Sequence, residues 1–207
     1  MKILVSVFNN LYTDQRVEKF CKTLHENAYQ IEVIGNNWGG NPEMKRPYPF
    51  SRISLQSKKL RFAYLEFQWK LFFELLKKAD RNTILHANDL DALLPNYLVS
   101  KIKGIPLVWD SHEIFTEMPT VTNRWVQHVW RLLENALIRK IKYFITANDS
   151  YANWFETNYK IKRPIVIRNF PQKSESPKSF VENSPKIILY QGTINYSRGI
   201  DKMIEAM

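Results

Sequence analysis

The most constraining feature of this sequence is an alternation between short apolar runs and longer amphipathic segments. Runs that carry apolar side chains on both faces are typical of strands in a parallel sheet covered on both sides. Such runs occupy positions 3–8, 31–34, 83–87, 106–109, 143–147 and 165–167. The intervening segments have apolar residues at helical spacing, over 14–27, 89–101, 123–140 and 150–158. The alternation predicts βαβ units and a Rossmann-like α/β fold, a parallel sheet with helices on both faces.

A polar, proline-containing segment interrupts this pattern at positions 172–185 and predicts a linker. A fresh apolar run follows over 187–190, and a helical pattern then continues to Met207. We therefore predict a first domain over 1–171, a linker over 172–185, and the first βα unit of a second domain over 186–207. The 207 residues leave room for only the start of that second domain.

Composition restricts the compartment and the partners. Cys21 is the only cysteine, which excludes an intrachain disulfide or a site with several cysteine ligands and favours a reducing, cytoplasmic compartment. No apolar stretch approaches the ~20 residues of a spanning helix, and the first run is too short for a signal-peptide core. The net charge of +10 has two explanations, a surface solvated by basic residues or a polyanionic partner. The candidate partners are phosphorylated small molecules, an anionic membrane and nucleic acid.

Small polar residues follow each predicted strand. Ligands of open parallel sheets bind beyond the carboxyl ends of the strands, so these loops are the candidate site. At several positions a structural role is an alternative to a role in binding. Three of these residues are of types favoured at helix N-caps, namely Thr13, Asp89 and Ser150. Asp91 is also explained as an acidic residue in the first turn of a helix, where the helix dipole favours it. His86 is also explained as a buried, hydrogen-bonded histidine.

The richest polar cluster is the Asp110-Ser111-His112-Glu113 segment after the fourth run. A metal site is disfavoured there because no second histidine–carboxylate group is evident. A serine hydrolase is disfavoured because there is no nucleophile elbow. The absence of G-x-G-x-x-G and Walker A sequences argues against nicotinamide, flavin and P-loop sites, although helix N-termini still suit phosphate.

Two basic segments are rich in aromatic residues. The segment 58–78 predicts a helix with two apolar stripes, which is either well buried or partly exposed against a membrane interface or a partner. One stripe is Phe62, Leu65, Trp69, Phe72, Phe73 and Leu76, and the other is Leu60, Tyr64, Phe67, Leu71 and Leu75. The segment 124–142 adds a basic face, and its predicted core stripe is Trp125, Val129, Trp130, Leu133 and Leu137.

Five segments of the chain stand out together: Asn-Leu-Tyr-Thr-Asp-Gln-Arg-Val at 10–17, Ala-Asn-Asp-Leu-Asp-Ala-Leu-Leu at 87–94, Val-Trp-Asp-Ser-His-Glu at 108–113, Val-Ile-Arg-Asn-Phe-Pro at 166–171, and Leu-Tyr-Gln-Gly at 189–192 with Arg-Gly at 198–199. In this order they resemble the family 4 glycosyltransferases, whose GT-B architecture consists of two Rossmann-like domains. The resemblance spans nearly the whole chain and implies the N-terminal half of that architecture with the first βα unit of its C-terminal domain.

The resemblance implies transfer of a sugar from a nucleotide-sugar donor to an acceptor with retention of anomeric configuration. His112 matches the histidine beside the donor sugar and, with Asp110, is the predicted catalytic group. The predicted donor- and substrate-binding residues are Asn9, Asn10, Thr13, Asn88, Asp89, Asn148, Arg168, Asn169, Gly192 and Arg198. The chain departs from the family at Thr193, where arginine is common, and at Arg198, where lysine is usual. The family's glutamate pair has no counterpart before Met207.

The same resemblance predicts the partners. They are a nucleotide sugar and a glycan or lipid-linked acceptor in cell-surface polysaccharide or glycolipid assembly. The charge and the two basic segments add an anionic membrane surface as a predicted partner. No cofactor, metal or nucleic acid is expected, and we expect a cytoplasmic protein, peripheral on the inner face of the membrane. Because most of the donor domain is missing, this chain should have little activity alone. The alternatives are a GT-B-type nucleotide-sugar epimerase and a non-catalytic basic module that binds membrane or nucleic acid.

Overall fold

Seven parallel strands form one sheet in the computed structural model, which describes residues 1–171, 188–192, 194 and 199–207. The strands are β1 (Lys2–Ser6), β2 (Gln30–Asn36), β3 (Phe50–Ile53), β4 (Thr83–Asn88), β5 (Leu107–Ser111), β6 (Tyr143–Thr146) and β7 (Ile165–Val166). Their order is β3-β2-β1-β4-β5-β6-β7, and all neighbours pair in parallel. The predicted Rossmann-like α/β sheet is confirmed.

Helices connect these strands, namely α1 (Gln15–Glu26), α2 (Leu60–Lys78), α3 (Asp89–Lys103), α4 (Trp125–Leu137) and α5 (Asp149–Tyr159). A further helix, α6 (Ile200–Glu205), follows β7. Short 3-10 turns lie at Phe115–Glu117 and Ile138–Lys140. The helix α3 ends at Gly104, whose φ of 66° is the left-handed conformation that commonly terminates helices.

Alternate strand residues face opposite sides of the sheet, and each side has its own core. On one side Ile3 and Val5 pack with Val17 and Cys21 of α1. On the other, residues such as Leu4 and Ile34 pack with the apolar sides of α2 to α5. Both faces are therefore covered, as the apolar runs predicted.

The chain divides into two compact units, Met1–Asn169 and Phe170–Met207. Within the second unit, α6 is a short helix, and residues 188–190 are exposed and carry no strand assignment. The predicted linker over 172–185 lies outside the described residues, and so does Ile187, the first residue of the predicted run. The domain boundaries proposed from the sequence remain predictions.

The edge strand β3 was missed by the sequence analysis. Among the strands of the described residues it pairs with β2 alone, through the register from Val33 opposite Phe50 to Asn36 opposite Ile53. Its sequence, Phe-Ser-Arg-Ile, alternates apolar and polar residues rather than forming an apolar run. Edge strands need less apolar surface than central ones, so the criterion of a continuous apolar run does not detect them.

The predicted core stripe of α4 was wrong at two positions, because Trp125 and Val129 are exposed. Two polar residues take buried positions on this helix instead. The Gln127 side chain donates to the Thr116 carbonyl at 2.8 Å, and Glu134 accepts a hydrogen bond from the Tyr159 hydroxyl. A buried polar side chain is tolerated when it is hydrogen-bonded. The spacing of apolar residues alone therefore predicted the inward-facing side of α4 incorrectly at these positions.

Candidate functional site

The polar loops that follow the strands meet at the carboxyl edge of the sheet because all the strands are parallel. At this edge His112 follows β5, and Asp89 opens α3 directly after β4. The His112 Nε2 lies 2.9 Å from Asp89 Oδ2, and the His112 backbone N–H donates to Asp89 Oδ1 at 3.2 Å. Both carboxylate oxygens are thus engaged, which fixes the position of the imidazole ring.

The charge state of His112 follows from this pairing. Burial alone would lower the pKa of His112, but the Asp89 carboxylate outweighs it, and the pKa rises to about 9. The ring therefore carries a positive charge at neutral pH, and both of its nitrogens are donors. The Nδ1 atom is buried and has no hydrogen-bond partner within the described part of the chain. One donor of the cationic imidazole is therefore left without a partner in that part of the chain.

Asp89 adopts a strained backbone conformation, with a φ of 57° in the left-handed region. A non-glycine residue in this region costs of order 1–2 kcal/mol, and its surroundings must compensate. Asp89 is the first residue of α3, and its carboxylate turns to His112 instead of capping the helix. The alternative role of Asp89 as an N-cap is therefore wrong, since the cap position belongs to Asn88.

Asp110 is buried at the end of β5 and forms a two-pronged pair with Arg16 of α1. Arg16 Nε lies 3.1 Å from Asp110 Oδ2, and Arg16 Nη2 lies 2.7 Å from Asp110 Oδ1. The remaining Arg16 nitrogen, Nη1, donates to the Ile167 carbonyl at 2.8 Å, just after β7. Burial raises the pKa of Asp110, and the Arg16 guanidinium opposes that rise. Both carboxylate oxygens of Asp110 are thus paired with Arg16, and its predicted catalytic role stays a prediction.

The loop after β1 forms a compact hydrogen-bonded turn. Asn9 donates from Nδ2 to Asp14 Oδ2 at 3.2 Å, and its own Oδ1 accepts from the Asn10 backbone N–H at 2.7 Å. Asn10 Oδ1 accepts from the Tyr12 backbone N–H. The cap of α1 is Asp14, which accepts from the Val17 N–H at 2.9 Å, so the expectation that Thr13 caps this helix was wrong.

Gly35 lets this loop approach β2 closely. A Cβ atom built on Gly35 would lie 2.5 Å from both the Asn9 carbonyl oxygen and the Leu11 Cγ. The Asn36 N–H donates to the same Asn9 carbonyl at 2.7 Å. The glycine therefore holds the Asn9–Thr13 loop against the carboxyl edge.

The residues predicted after β6 and β7 form a separate, more exposed group. Asn148 caps α5 by accepting from the Tyr151 N–H at 2.8 Å, so the cap is not Ser150. Arg168 pairs with Asp149 at 2.6 Å, and Asn169 Oδ1 accepts from Lys19 at 3.0 Å. Each of these side chains has a structural partner, and their predicted roles in substrate binding stay predictions.

The interior beneath the edge contains buried polar residues. His86 stacks on Phe20 with ring centroids 4.5 Å apart, and burial lowers its pKa to about 3, so it is a neutral interior histidine, as expected. Asn88 donates to the Ser6 carbonyl at 3.2 Å and also contacts His86 Nδ1. Asn88 therefore supports the edge from inside the fold.

Sequence analysis missed two polar residues that shape the site, Arg16 and Asn96. Asp91 lies in the first turn of α3, as expected, but its burial was missed. Asp91 is nearly fully buried, and burial together with the Asp89 charge raises its pKa well above the usual range. Asn96 donates to Ser6 Oγ at 2.6 Å. Arg16 lies within the segment 10–17 that carries part of the family resemblance. Its positive charge on the apolar side of α1 could have identified it as a residue of the site.

Gly192 is exposed in the second unit, whereas Arg198 lies outside the described residues, as does Thr193. Their predicted roles in phosphate binding stay predictions. Throughout the described ranges, no group of three or more histidine, cysteine, aspartate or glutamate side chains is placed to hold a metal ion.

Comparison with known families assigns the chain. The family model described as Glycosyltransferase Family 4 matches residues 14–170, which is most of the sequence. The chain belongs to glycosyltransferase family 4. The matched range includes His112, Asp110 and Asp89, whereas Asn9 precedes it and Gly192 follows it. No curated protein matches the sequence.

Solved structures share the fold of this family 4 chain. A sucrose-phosphate synthase from Thermosynechococcus elongatus matches with a TM-score of 0.56 and 10% identity, covering 81% of this chain and 87% of that one. Os79 from O. sativa, solved in complex with UDP, matches with a TM-score of 0.54 and 11% identity, covering 78% of this chain. The family 4 chain spans only 51% of Os79. Both likenesses show the fold that these two proteins share with the chain.

Proposed function

We propose that this family 4 domain takes part in retaining glycosyl transfer from a nucleotide sugar to an acceptor hydroxyl. The observation that carries the proposal is the Asp89–His112 pair at the carboxyl edge, where a cationic ring keeps one N–H without a partner in the described residues. A buried donor of this kind suits an anionic or hydroxyl-bearing ligand such as a nucleotide sugar. The UDP bound to Os79, a fold relative, supports a nucleotide as part of the donor.

The proposed role of His112 follows from the charge that develops during transfer. The bond between the anomeric carbon and the diphosphate oxygen breaks, and its electron pair leaves with the nucleoside diphosphate. The acceptor oxygen bonds to the anomeric carbon, and its proton passes to the departing diphosphate oxygen, which has gained the electron pair. A fixed cationic donor near the donor sugar stabilises the developing negative charge because it needs no reorganisation during the reaction.

On this proposal no metal ion is required, so addition of EDTA should leave the transfer rate unchanged.

The other parts of the edge have supporting roles in this proposal. Arg16 and Asp110 hold the end of β5, and therefore His112, in place relative to α1. The Asn9–Thr13 loop supplies amides and hydroxyls that suit the acceptor and the donor phosphates. We propose a glycan or lipid-linked acceptor in cell-surface polysaccharide or glycolipid assembly, at the cytoplasmic side of a membrane.

Product analysis tests this function. Protein produced by its natural host is incubated with a panel of radiolabelled nucleotide sugars and host membranes. The products are then analysed by chromatography and by NMR of the anomeric proton. The proposal predicts label in a glycosylated acceptor with the anomeric configuration of the donor. Inverted configuration contradicts retention, and epimerised sugar without a glycosylated acceptor identifies an epimerase instead.

A further inference from the structure

The helix α2 has two apolar sides, and only one of them packs into the protein. Ala63, Phe67, Leu71 and Leu75 are buried against the core. At 100° per residue, Phe62, Leu65, Trp69 and Phe73 lie on the opposite side of the helix. All four are exposed, with 65% of Leu65 and 67% of Trp69 accessible to solvent. A helix that packs on one face of a sheet needs a single apolar stripe, so the second one is unexplained by the fold.

The exposed residues form a contiguous surface. The Trp69 and Phe73 rings meet edge to face with centroids 4.8 Å apart, and Phe72 contacts Phe73 at 5.2 Å. The Arg61 guanidinium lies 4.8 Å from the centre of the Phe62 ring. We call this surface, Phe62, Leu65, Trp69 and Phe73, the outer face of α2. Contiguous exposed apolar patches on soluble domains commonly mark sites of interaction.

The charges around the outer face are strongly biased. The segment 58–78 holds six cations and two carboxylates. Both carboxylates are already paired within the helix, Glu66 with Lys70 at 2.7 Å and Glu74 with Lys78 at 3.9 Å. Lys58, Lys59 and Lys77 are exposed at the two ends and form no ion pair with any residue that the structure describes. An apolar strip between unpaired lysines is therefore open to an anionic partner.

We infer that the outer face of α2 docks on the surface of an anionic lipid bilayer. Apolar side chains flanked by lysines, with tryptophan among them, suit a helix lying in the headgroup region, where lysine stems reach up to the phosphates. A protein partner fits less well, because lysine is depleted from protein interfaces. No helix in the described ranges is long and apolar enough to span a membrane, so α2, about 28 Å long, would lie parallel to the surface.

The docking inference does not depend on the proposed transfer reaction. Binding to a vesicle is measured without any nucleotide sugar or acceptor. Loss of activity with normal vesicle binding would leave the membrane inference intact and contradict only the proposed function.

Co-sedimentation with vesicles tests the inference. We expect the chain to bind phosphatidylcholine vesicles that contain phosphatidylglycerol at least tenfold more tightly than phosphatidylcholine alone, with weakening at high salt. The substitutions L65S/W69S should reduce that binding at least tenfold. The matched control is W125S/L132S on α4, since Trp125 and Leu132 are exposed to a similar degree, 67% and 72%. The control should change binding less than twofold.

Two variants that lose the same amount of charge separate attraction by the lysines near the outer face from attraction by the overall charge of +10. K58Q/K59Q/K77Q should weaken binding several-fold more than R139Q/K140Q/K162Q, which removes the same charge elsewhere. Circular dichroism melts of all variants should match the parent, because each substituted side chain is exposed. The inference is overturned if the parent does not bind anionic vesicles, or if both members of either pair lose binding equally. It is also overturned if the outer face instead holds a dimer, detected by ultracentrifugation, that L65S/W69S dissociates.

Discussion

At the scale of single residues, the account depends on two carboxylates that fix the charge and position of neighbouring groups. Asp89 holds His112 through both of its oxygens, and Asp110 is tied to Arg16 by two hydrogen bonds. Both pairs connect elements that are distant in sequence at the same edge of the sheet. In the proposed function the first pair takes part in the chemistry, whereas the second pair contributes mainly to stability.

Replacing Asp89 by asparagine should lower the pKa of His112 from about 9 by roughly one to three units, since burial then acts without its main opposing charge. NMR titration of the histidine ring protons measures this directly. His128 is exposed on α4 and provides a control in the same spectrum. An unchanged His112 pKa in the variant would show that the Asp89 pair does not set the charge of the ring.

Replacing Arg16 by glutamine should lower the free energy of unfolding by roughly 3–5 kcal/mol, because Asp110 would be left buried without its cation. Urea unfolding measures the change. The control is R163Q, which removes an exposed ion pair with Asp149 and should cost at most about 1 kcal/mol. Equal losses in the two variants would contradict the structural importance assigned to the buried pair.

At the scale of elements, sequence analysis recovered the strands that are buried on both faces and the helices between them. It missed β3 because an edge strand needs no continuous apolar run. Helix starts were displaced because the actual caps are Asp14 and Asn148, whereas Thr13 and Ser150 were equally suitable by residue type. The two stripes of the α2 segment were visible in the sequence, but only packing shows that the stripe containing Phe67 is the buried one.

The packing of α4 against α5 creates a pH-sensitive contact. Glu134 is fully buried beside Tyr159 and Thr116, and burial raises its pKa from the ordinary 4.5 to about 7. The folded state then binds this proton more tightly than the unfolded state, so the free energy of unfolding falls as the pH rises from 4.5 to 7. The expected loss is roughly 3 kcal/mol at most.

The variant E134Q should lose this pH-dependent part of the free energy of unfolding. Its free energy of unfolding, measured with urea, should therefore change less between pH 5 and pH 8 than that of the parent. E156Q, at an exposed position on α5, should keep the pH dependence of the parent. If the E134Q profile is superimposable on that of the parent, Glu134 does not titrate in this range.

At the scale of the whole molecule, the fold and the family follow from one-dimensional patterns, whereas the site does not. The strand–helix alternation and the five ordered segments predicted a Rossmann-like sheet and family 4 membership, and both are confirmed. The Asp89–His112 and Arg16–Asp110 pairs bring together residues from different βα units. Sequence spacing identifies the loops that meet at one edge but cannot say which side chains pair there.

The central claim is that the cationic His112 ring serves a sugar-transfer site at the carboxyl edge. Its most direct test is the transfer rate of the H112A variant of the protein as its host expresses it, compared with H128A. We predict that H112A lowers kcat/KM by about 100-fold or more, as expected for loss of a fixed donor to developing charge. H128A, which removes an exposed histidine of α4, should stay within twofold of the parent. A folded H112A protein that transfers sugar at the parental rate would contradict the claim.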